Sequence, residues 1–415
     1  MRSAPTDPTP SRAPSAPTKG AAASARKPYR KKKEKDRKTA KKALLRRSSS
    51  QGAVLCNPTA VARNLKDLLA HQTGFITAGM PHTAPGYQGR STKGAVKRVY
   101  ALEELVGEGS KFGFDLKRWD GISPIPLLDD VARIIGVCSG RPRATDWGNV
   151  TRSASSAIAA ARAQLNFPDG STDHRRGQFP AMAIGVSYGG GQQVPGNLVH
   201  SNNNRAVLEG LLQDPSICRI ASFANGSFAL WSPRVHQYYH QRLERLYARY
   251  PLLRRNFERS VFPAATFNFG PTTCCFPHVD PGNLPFGMCA ITALGDFDPK
   301  LGGHIVLWDL KLVIEFPPGA TILITSASVK HSNVGIQDGE TRYSFTQYAA
   351  GGLFRWVDHG FQPEKVYKLK WSAQRKREEV EIGRRRWQEG IKLFSTVNEV
   401  RGLNRASLPP LVVPN

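Results

Sequence analysis

Beyond Phe262 the chain changes character. The runs F-P-A-A-T-F-N-F-G, G-M-C-A-I-T-A-L, G-G-H-I-V-L-W-D, K-L-V-I-E-F, A-T-I-L-I-T-S and R-Y-S-F-T-Q-Y-A-A follow one another. Each is short and rich in β-branched and aromatic residues. Turn signals such as F-D-P-K-L-G-G, P-P-G and Q-D-G separate them. That spacing predicts a sandwich or barrel of antiparallel strands.

The rest of the chain has to pack around such a unit. With 415 residues there is enough sequence for a sizeable core. Four stretches carry apolar residues at helical spacing: P-T-A-V-A-R-N-L-K-D-L-L-A, with Thr59 as a candidate N-cap, I-P-L-L-D-D-V-A-R-I-I-G, S-A-S-S-A-I-A-A-A-R-A-Q-L and V-H-Q-Y-Y-H-Q-R-L-E-R-L-Y-A-R-Y. The expected organisation is a mostly helical part over 51–180, a β-rich core over 181–358 and a C-terminal helical extension with a tail over 359–415. K-W-S-A-Q-R-K-R-E-E-V-E-I-G-R-R-R-W-Q-E-G-I-K-L-F mixes both signs and predicts an exposed, salt-bridged helix.

Residues 1–50 stand apart, being rich in Pro, Ser and Ala and then in Lys and Arg. They hold 16 basic against 3 acidic residues. Such a segment cannot bury a core and is expected to be a disordered basic arm. It accounts for half of the net charge of +26, a surplus that points to a polyanionic partner. A nuclear localisation signal, a non-specific DNA-binding arm and a solubilising tail are the three readings of it. No apolar run has the length of a membrane span or a secretory signal, so no membrane association is expected. Six scattered cysteines without a C-x-x-C pair argue for a reducing compartment and against a disulfide scaffold or structural zinc.

The chemistry-bearing residues concentrate in the β-rich part. C-C-F-P-H-V-D-P-G-N places His278 and Asp280 one residue apart at a strand end. His331 follows the strand A-T-I-L-I-T-S, and Arg342 opens R-Y-S-F-T-Q-Y. An isolated H-x-D ordinarily means a turn or a surface pair. Two histidines and one carboxylate in this order form a facial triad that leaves positions open on Fe(II). A buried arginine can then hold a dicarboxylate through a two-pronged, charge-assisted contact. Together they describe a site for Fe(II) and 2-oxoglutarate, with His278, Asp280 and His331 as metal ligands. Asn268 is within reach of 2-oxoglutarate if it points inward; flanking a ladder, it would serve the strand instead. The pair His236 and His240 lacks the glutamate of H-E-x-x-H and a third ligand, and is read as structural.

H-V-D-P-G-N, F-P-P-G-A-T-I-L-I-T-S-A-S-V-K-H and R-Y-S-F-T-Q-Y also carry a family resemblance. From about Ala181 to Trp356 the chain resembles the double-stranded β-helix, or jelly-roll, core of Fe(II)/2-oxoglutarate-dependent dioxygenases. Within that superfamily it is similar to the Tet/JBP nucleic-acid dioxygenases, and among those to short fungal TET-like proteins. The resemblance implies an α+β fold with helices flanking the jelly roll. It implies Fe(II), 2-oxoglutarate and O2, and oxidation of the methyl of a 5-methylpyrimidine in DNA. Tyr348 matches an aromatic that stacks on the flipped base, and Asn283 a residue that hydrogen-bonds the cytosine edge. Where animal enzymes place a base-contacting histidine, this chain has Ala350.

The function implied is conversion of 5-methylcytosine to 5-hydroxymethylcytosine, with further oxidation to formyl and carboxyl forms open. N-demethylation of N6-methyladenine or another N-methylated base is the alternative, and an inert DNA- or chromatin-binding protein a second one. The expected partner is methylated, base-flipped DNA, in the nucleus; no obligate protein partner is inferred. The glycine-rich loop Y-G-G-G-Q-Q-V-P-G-N adds Asn197 as a further candidate substrate contact.

Overall fold

The computed structural model describes residues 58–66, 68–83, 85–91, 96–369 and 371–402. The basic arm over 1–50 and the tail beyond 402 lie outside the described residues. In chain order the first strands are β1 (His71–Phe75), β2 (Asp115–Lys117), β3 (Ile125–Asp129) and β4 (Ile134–Gly140). A short pair, β5 (Asp173–His174) and β6 (Gly177–Gln178), precedes β7 (Ala181–Ser187) and β8 (Gly196–Asn197). Then come β9 (Ala264–Asn268), β10 (Cys289–Asp296), β11 (Ile305–Leu307), β12 (Leu312–Ile314), β13 (Thr321–Ile324), β14 (His331–Asn333) and β15 (Thr341–Tyr348).

From β9 onward the chain shuttles between two sheets. Strands β9, β10, β13 and β15 lie in the larger sheet, in the order β13-β10-β15-β9. Strands β14, β11 and β12 lie side by side in the smaller one, which β2 extends beyond β12, and a bridge from His278 to His331 adds the H-x-D segment beside β14. Four of these segments in each of two sheets, with the chain crossing between sheets at every step except β11 to β12, make a double-stranded β-helix. The larger sheet is extended at one edge by β4, β3 and β1, and at the other by β7 and β8.

The period-two alternation of β15 decides which residues face the interior. Tyr343 and Phe345 join Phe267 of β9 and Leu294 of β10 in a buried cluster with helix residues Trp147, Val150, Ala154 and Ile158. Arg342, Ser344 and Tyr348 therefore point the other way, between the sheets. Three helices, α1 (Trp147–Gln164), α2 (Asn202–Gln213) and α3 (Pro215–Trp231), supply this packing, while α4 (Pro233–Arg249) packs into the other large cluster. Asp214 starts α3 by accepting from the amides of Ser216 and Ile217, with Pro215 at the first helical position. Each fully buried aromatic in this seam contributes about 2–3 kcal/mol of transfer free energy.

Four expectations from the sequence are corrected. The part over 51–180 is not mostly helical: it holds α1 and two shorter helices, Pro58–Leu65 and Leu102–Leu105, but also β1 to β6. I-P-L-L-D-D-V-A-R-I-I-G forms a β3–β4 hairpin, not a helix. Both strands are buried along their whole length, so neither shows the alternation that marks a half-exposed strand. The turn is made by the Asp129 carboxylate, which accepts from the amides of Val131 and Arg133, and by Ala132 at φ +63°. The short helix Pro58–Leu65 already includes Thr59, which therefore does not cap it. After α5 (Gly351–Asp358), the mixed-charge segment does form a helix, α6 (Ala373–Ile391). It is not uniformly solvated: Gly383, Trp387, Gly390 and Ile391 are buried. Among the described residues no helix is long and apolar enough to cross a membrane.

Candidate metal centre

His278 and His331 lie in different sequence runs but exchange both backbone hydrogen bonds, at 3.0 and 2.9 Å. That close antiparallel pair sets the imidazole centroids 4.3 Å apart. Asp280 is fixed by its own amide, which donates to Ser326 O at 2.8 Å. Its carboxylate oxygens lie 3.9 Å from His278 Nε2 and 4.0 Å from His331 Nε2. The three ligand atoms are all within 4.8 Å of one another, and no other group of three such residues occurs among the described residues.

The hydrogen bonds also set the tautomers. His278 Nδ1 lies 2.7 Å from Phe276 O and His331 Nδ1 lies 3.0 Å from Val329 O. A carbonyl can only accept, so each Nδ1 carries the proton and each Nε2 presents its lone pair to the shared space. Burial holds both imidazoles below their ordinary range, helped at His278 by the neighbouring His331. Burial alone would raise the Asp280 carboxyl, but His278, His331, Arg176 and Arg175 together hold it below its ordinary value. Two neutral nitrogens and one carboxylate are the donor set that a divalent first-row ion takes, with open positions for substrate.

Arg342 lies on the same inward face. It is 1 % exposed, Gly295 stands opposite it on β10, and its guanidinium lies 5.9 Å from the centroid of the Phe297 ring. Its Nη1 donates to Thr273 O at 2.8 Å, while its Nε has no partner. Asn268 donates through Nδ2 to Ser344 Oγ at 2.7 Å, leaving its buried Oδ1 unpaired, and Thr273 Oγ1 is unpaired as well. Among the described residues no acidic group pairs with this guanidinium. Burying a cation without a counter-charge is costly, and an anionic ligand would relieve that cost. A carboxylate-bearing ligand meets that need, so the residues present fit 2-oxoglutarate at this end and a metal at the other.

Other residues singled out in the sequence divide. Asn283 sits in the Asp280 turn, its amide donating to Asp280 O, and pairs with Ala350 across a bridge. Its Nδ2 donates to Ser326 Oγ at 3.2 Å, leaving Oδ1 to accept. Tyr348 ends β15, its hydroxyl accepting from Thr266 at 3.3 Å, and it feels the charges of Asp280 and Arg176. Asn197 is not brought to the site. Its amide donates to Leu252 O and accepts from the Arg254 amide, which ties β8 to the loop after α4. His236 and His240 have separate partners, Asn225 and Glu244.

Two residues were invisible in the sequence. The β5–β6 turn carries Arg175 and Arg176 and is docked on the ligand segment through a Gly177–Cys275 bridge. Phe276 donates its amide to Arg176 O at 2.7 Å. Arg175 donates to Val279 O at 2.8 Å and reaches Asp280 Oδ1 at 3.5 Å. Arg176 is half-buried, and its charge bears on His278, Asp280, His331 and Tyr348. The only cue was R-R-G, a turn with two cations, and nothing local ties it to a motif a hundred residues on.

No family model and no curated protein matches this chain. Among solved structures, NgTET1 in complex with 5mC DNA aligns with a TM-score of 0.41 and 13 % identity, over 71 % of this chain and 92 % of that one. An oxidoreductase of the 2OG-Fe(II) oxygenase family from Burkholderia pseudomallei aligns with a TM-score of 0.27 and 19 % identity, over 47 % and 76 %. Similarity at this level concerns the fold alone, and nothing in it singles out short fungal proteins. The assignment of a double-stranded β-helix rests on the strand order of this chain.

Proposed function

We propose that the protein is an Fe(II)/2-oxoglutarate-dependent dioxygenase that oxidises the methyl group of a methylated base in DNA, 5-methylcytosine first. The observation that carries the reading is the pairing of the His278–Asp280–His331 cluster with a fully buried arginine that has no carboxylate of its own. Fe(II) with 2-oxoglutarate and O2 supplies hydroxylation of a C–H bond, releasing succinate and CO2.

Each residue then has a defined task. His278 and His331 offer Nε2, oriented by their Nδ1 bonds to backbone carbonyls, and Asp280 contributes the negative charge. Arg342 grips the far carboxylate of 2-oxoglutarate, with Asn268 and Ser344 beside it. Arg176 adds positive charge at the mouth of the site. A methyl group inside a duplex cannot reach a buried metal, so the nucleotide must leave the stack at a cost of about a few kcal/mol. Tyr348 at the inner end of β15 offsets part of this, since base–aromatic stacking contributes roughly 1–3 kcal/mol. Asn283 Oδ1 accepts from the exocyclic amine of the flipped base in this reading. The net charge of +26 supports a nucleic-acid substrate. The basic arm over 1–50 supports a nuclear location.

Ala350 is the observation that favours N-demethylation as a second reading. It bridges to Asn283 yet offers only a methyl group to a base edge, so a purine meets no obstructing side chain there. One experiment separates the readings. The protein is incubated with Fe(II), 2-oxoglutarate and duplexes bearing one modified base each, and the digested nucleosides are weighed by mass spectrometry. 5-Hydroxymethylcytosine is the expected product. Loss of methyl from N6-methyladenine would move the assignment to the second reading. Succinate without any altered base would end the nucleic-acid reading, and no succinate at all would leave an inert binding protein.

A further inference from the structure

Beside the turn that carries Asp280 opens a cleft of about 480 Å3. Pro281 and Gly282 form one wall; Thr83, Gln88, Arg90 and Ser91 form the other. Asp280, the cleft wall and Asn283 thus fall within four consecutive residues, a reach of at most about 14 Å.

The second wall is built rather than draped. Gly89 donates its amide to Pro281 O at 2.9 Å, and a Cβ at Gly89 would lie 2.2 Å from Ala327 O. Gly351 presses equally close on Tyr87 O, where a Cβ would sit at 1.6 Å. Thr83 donates its amide to Gln88 O, His82 stacks on Trp387 at 4.5 Å, and Arg386 donates to Pro85 O. Both glycine contacts exclude any larger residue, so the loop is clamped between the metal turn, α5 and α6.

What the clamp leaves unengaged has one chemistry. Arg90 uses Nε on His82 O at 2.8 Å and makes no ion pair among the described residues. Gln88 and Ser91 make no side-chain hydrogen bond there either. None of the lining residues is acidic, and none is aromatic. Donors without a stacking plane suit a phosphate and not a base.

We propose that this cleft binds a backbone phosphate of the DNA strand whose modified base enters the metal centre, one or two nucleotides from that base, with Arg90 as its charged contact. The inference rests on the DNA reading above and adds the point at which the strand is held. Phosphate contacts fix register without reading sequence, so the cleft would position the target nucleotide while Asn283 and Tyr348 meet the base.

The test is a scan of duplexes in which single phosphates around the modified base are replaced by uncharged methylphosphonates. Binding of the full-length protein and of Arg90→Ala is followed by fluorescence anisotropy, with the thermal midpoint of each protein as the check on folding. Neutralising one phosphate within two nucleotides of the target should weaken the wild type about tenfold and leave Arg90→Ala unaffected. The salt slope of Arg90→Ala should fall by about one unit, and Arg90→Lys should restore it. Gln88→Ala, which keeps the charge, should weaken binding at the same phosphate only. Equal responses of wild type and Arg90→Ala at every position would overturn the cleft while leaving the DNA reading intact. Failure of the wild type to bind any methylated duplex would overturn both.

Discussion

Two regions of this molecule bury an arginine, and they do so differently. In the seam between α4 and α5, Arg242 donates Nε to Asp358 at 3.0 Å and lies 3.6 Å from the centroid of the Tyr238 ring. Tyr87 donates to the other oxygen of the same carboxylate. Every charge there is answered within the chain. Between the two sheets, Arg342 has a single carbonyl, an unpaired Nε, and unpaired Asn268 Oδ1 and Thr273 Oγ1 nearby. The first region is a finished piece of architecture. The second is half of an interaction, which 2-oxoglutarate would complete under the proposed function.

The strongest challenge to this contrast removes the other end of the pocket. Asp280→Ala should reduce conversion of 2-oxoglutarate to succinate to the no-enzyme background; retained turnover would mean the cluster is not the metal centre. Next, Arg342→Met should weaken 2-oxoglutarate about 100-fold or more, measured by isothermal titration with a redox-inert divalent ion, because the ligand's carboxylate loses its buried counter-charge. Arg242→Met should leave that affinity alone.

Stability should show the opposite order. Arg242→Met strands Asp358 and should cost about 3 kcal/mol in denaturant unfolding. Arg342→Met removes an uncompensated buried cation and should leave the ligand-free protein as stable or more so. Equal losses in the two variants would erase the distinction between the regions. The smallest expected effect concerns His304, fully buried with both ring nitrogens unpartnered. Burial lowers it to about 4 from an ordinary 6.5. The unfolded chain therefore binds the extra proton first, and stability falls as pH drops below 6.5 toward 4. His304→Leu should flatten that slope by about 2 kcal/mol between pH 7 and 5.

The same contrast explains what could be read without the fold. His278, Asp280, His331 and Arg342 announce themselves because their chemistry needs fixed residue types at strand ends, and β-rich runs locate those ends. The β3–β4 hairpin did not, since strands buried on both faces lose their alternation and its turn depends on an Asp129 side chain. Asn197 looked available in a glycine-rich loop, but two backbone groups after α4 had already engaged its amide. Arg175, Arg176 and the His82–Ser91 loop reach the site through backbone contacts such as Gly89 to Pro281. Contacts of that kind leave no trace in residue type beyond a glycine or a turn.

The alternation of strands between the sheets has a consequence for how the chain reaches this state. Apart from β11 and β12, no two successive strands of the jelly roll pair with each other. Most pairings must wait for distant parts of the chain, and topologies dominated by such pairings fold slowly. His278 meets His331 only when β14 closes against the H-x-D segment, and β15 brings Arg342 from still later in the sequence. A nascent chain therefore presents isolated histidines and carboxylates but no metal centre until the last strands have docked. An ion held by this cluster would bind at the end of folding and would not template its beginning.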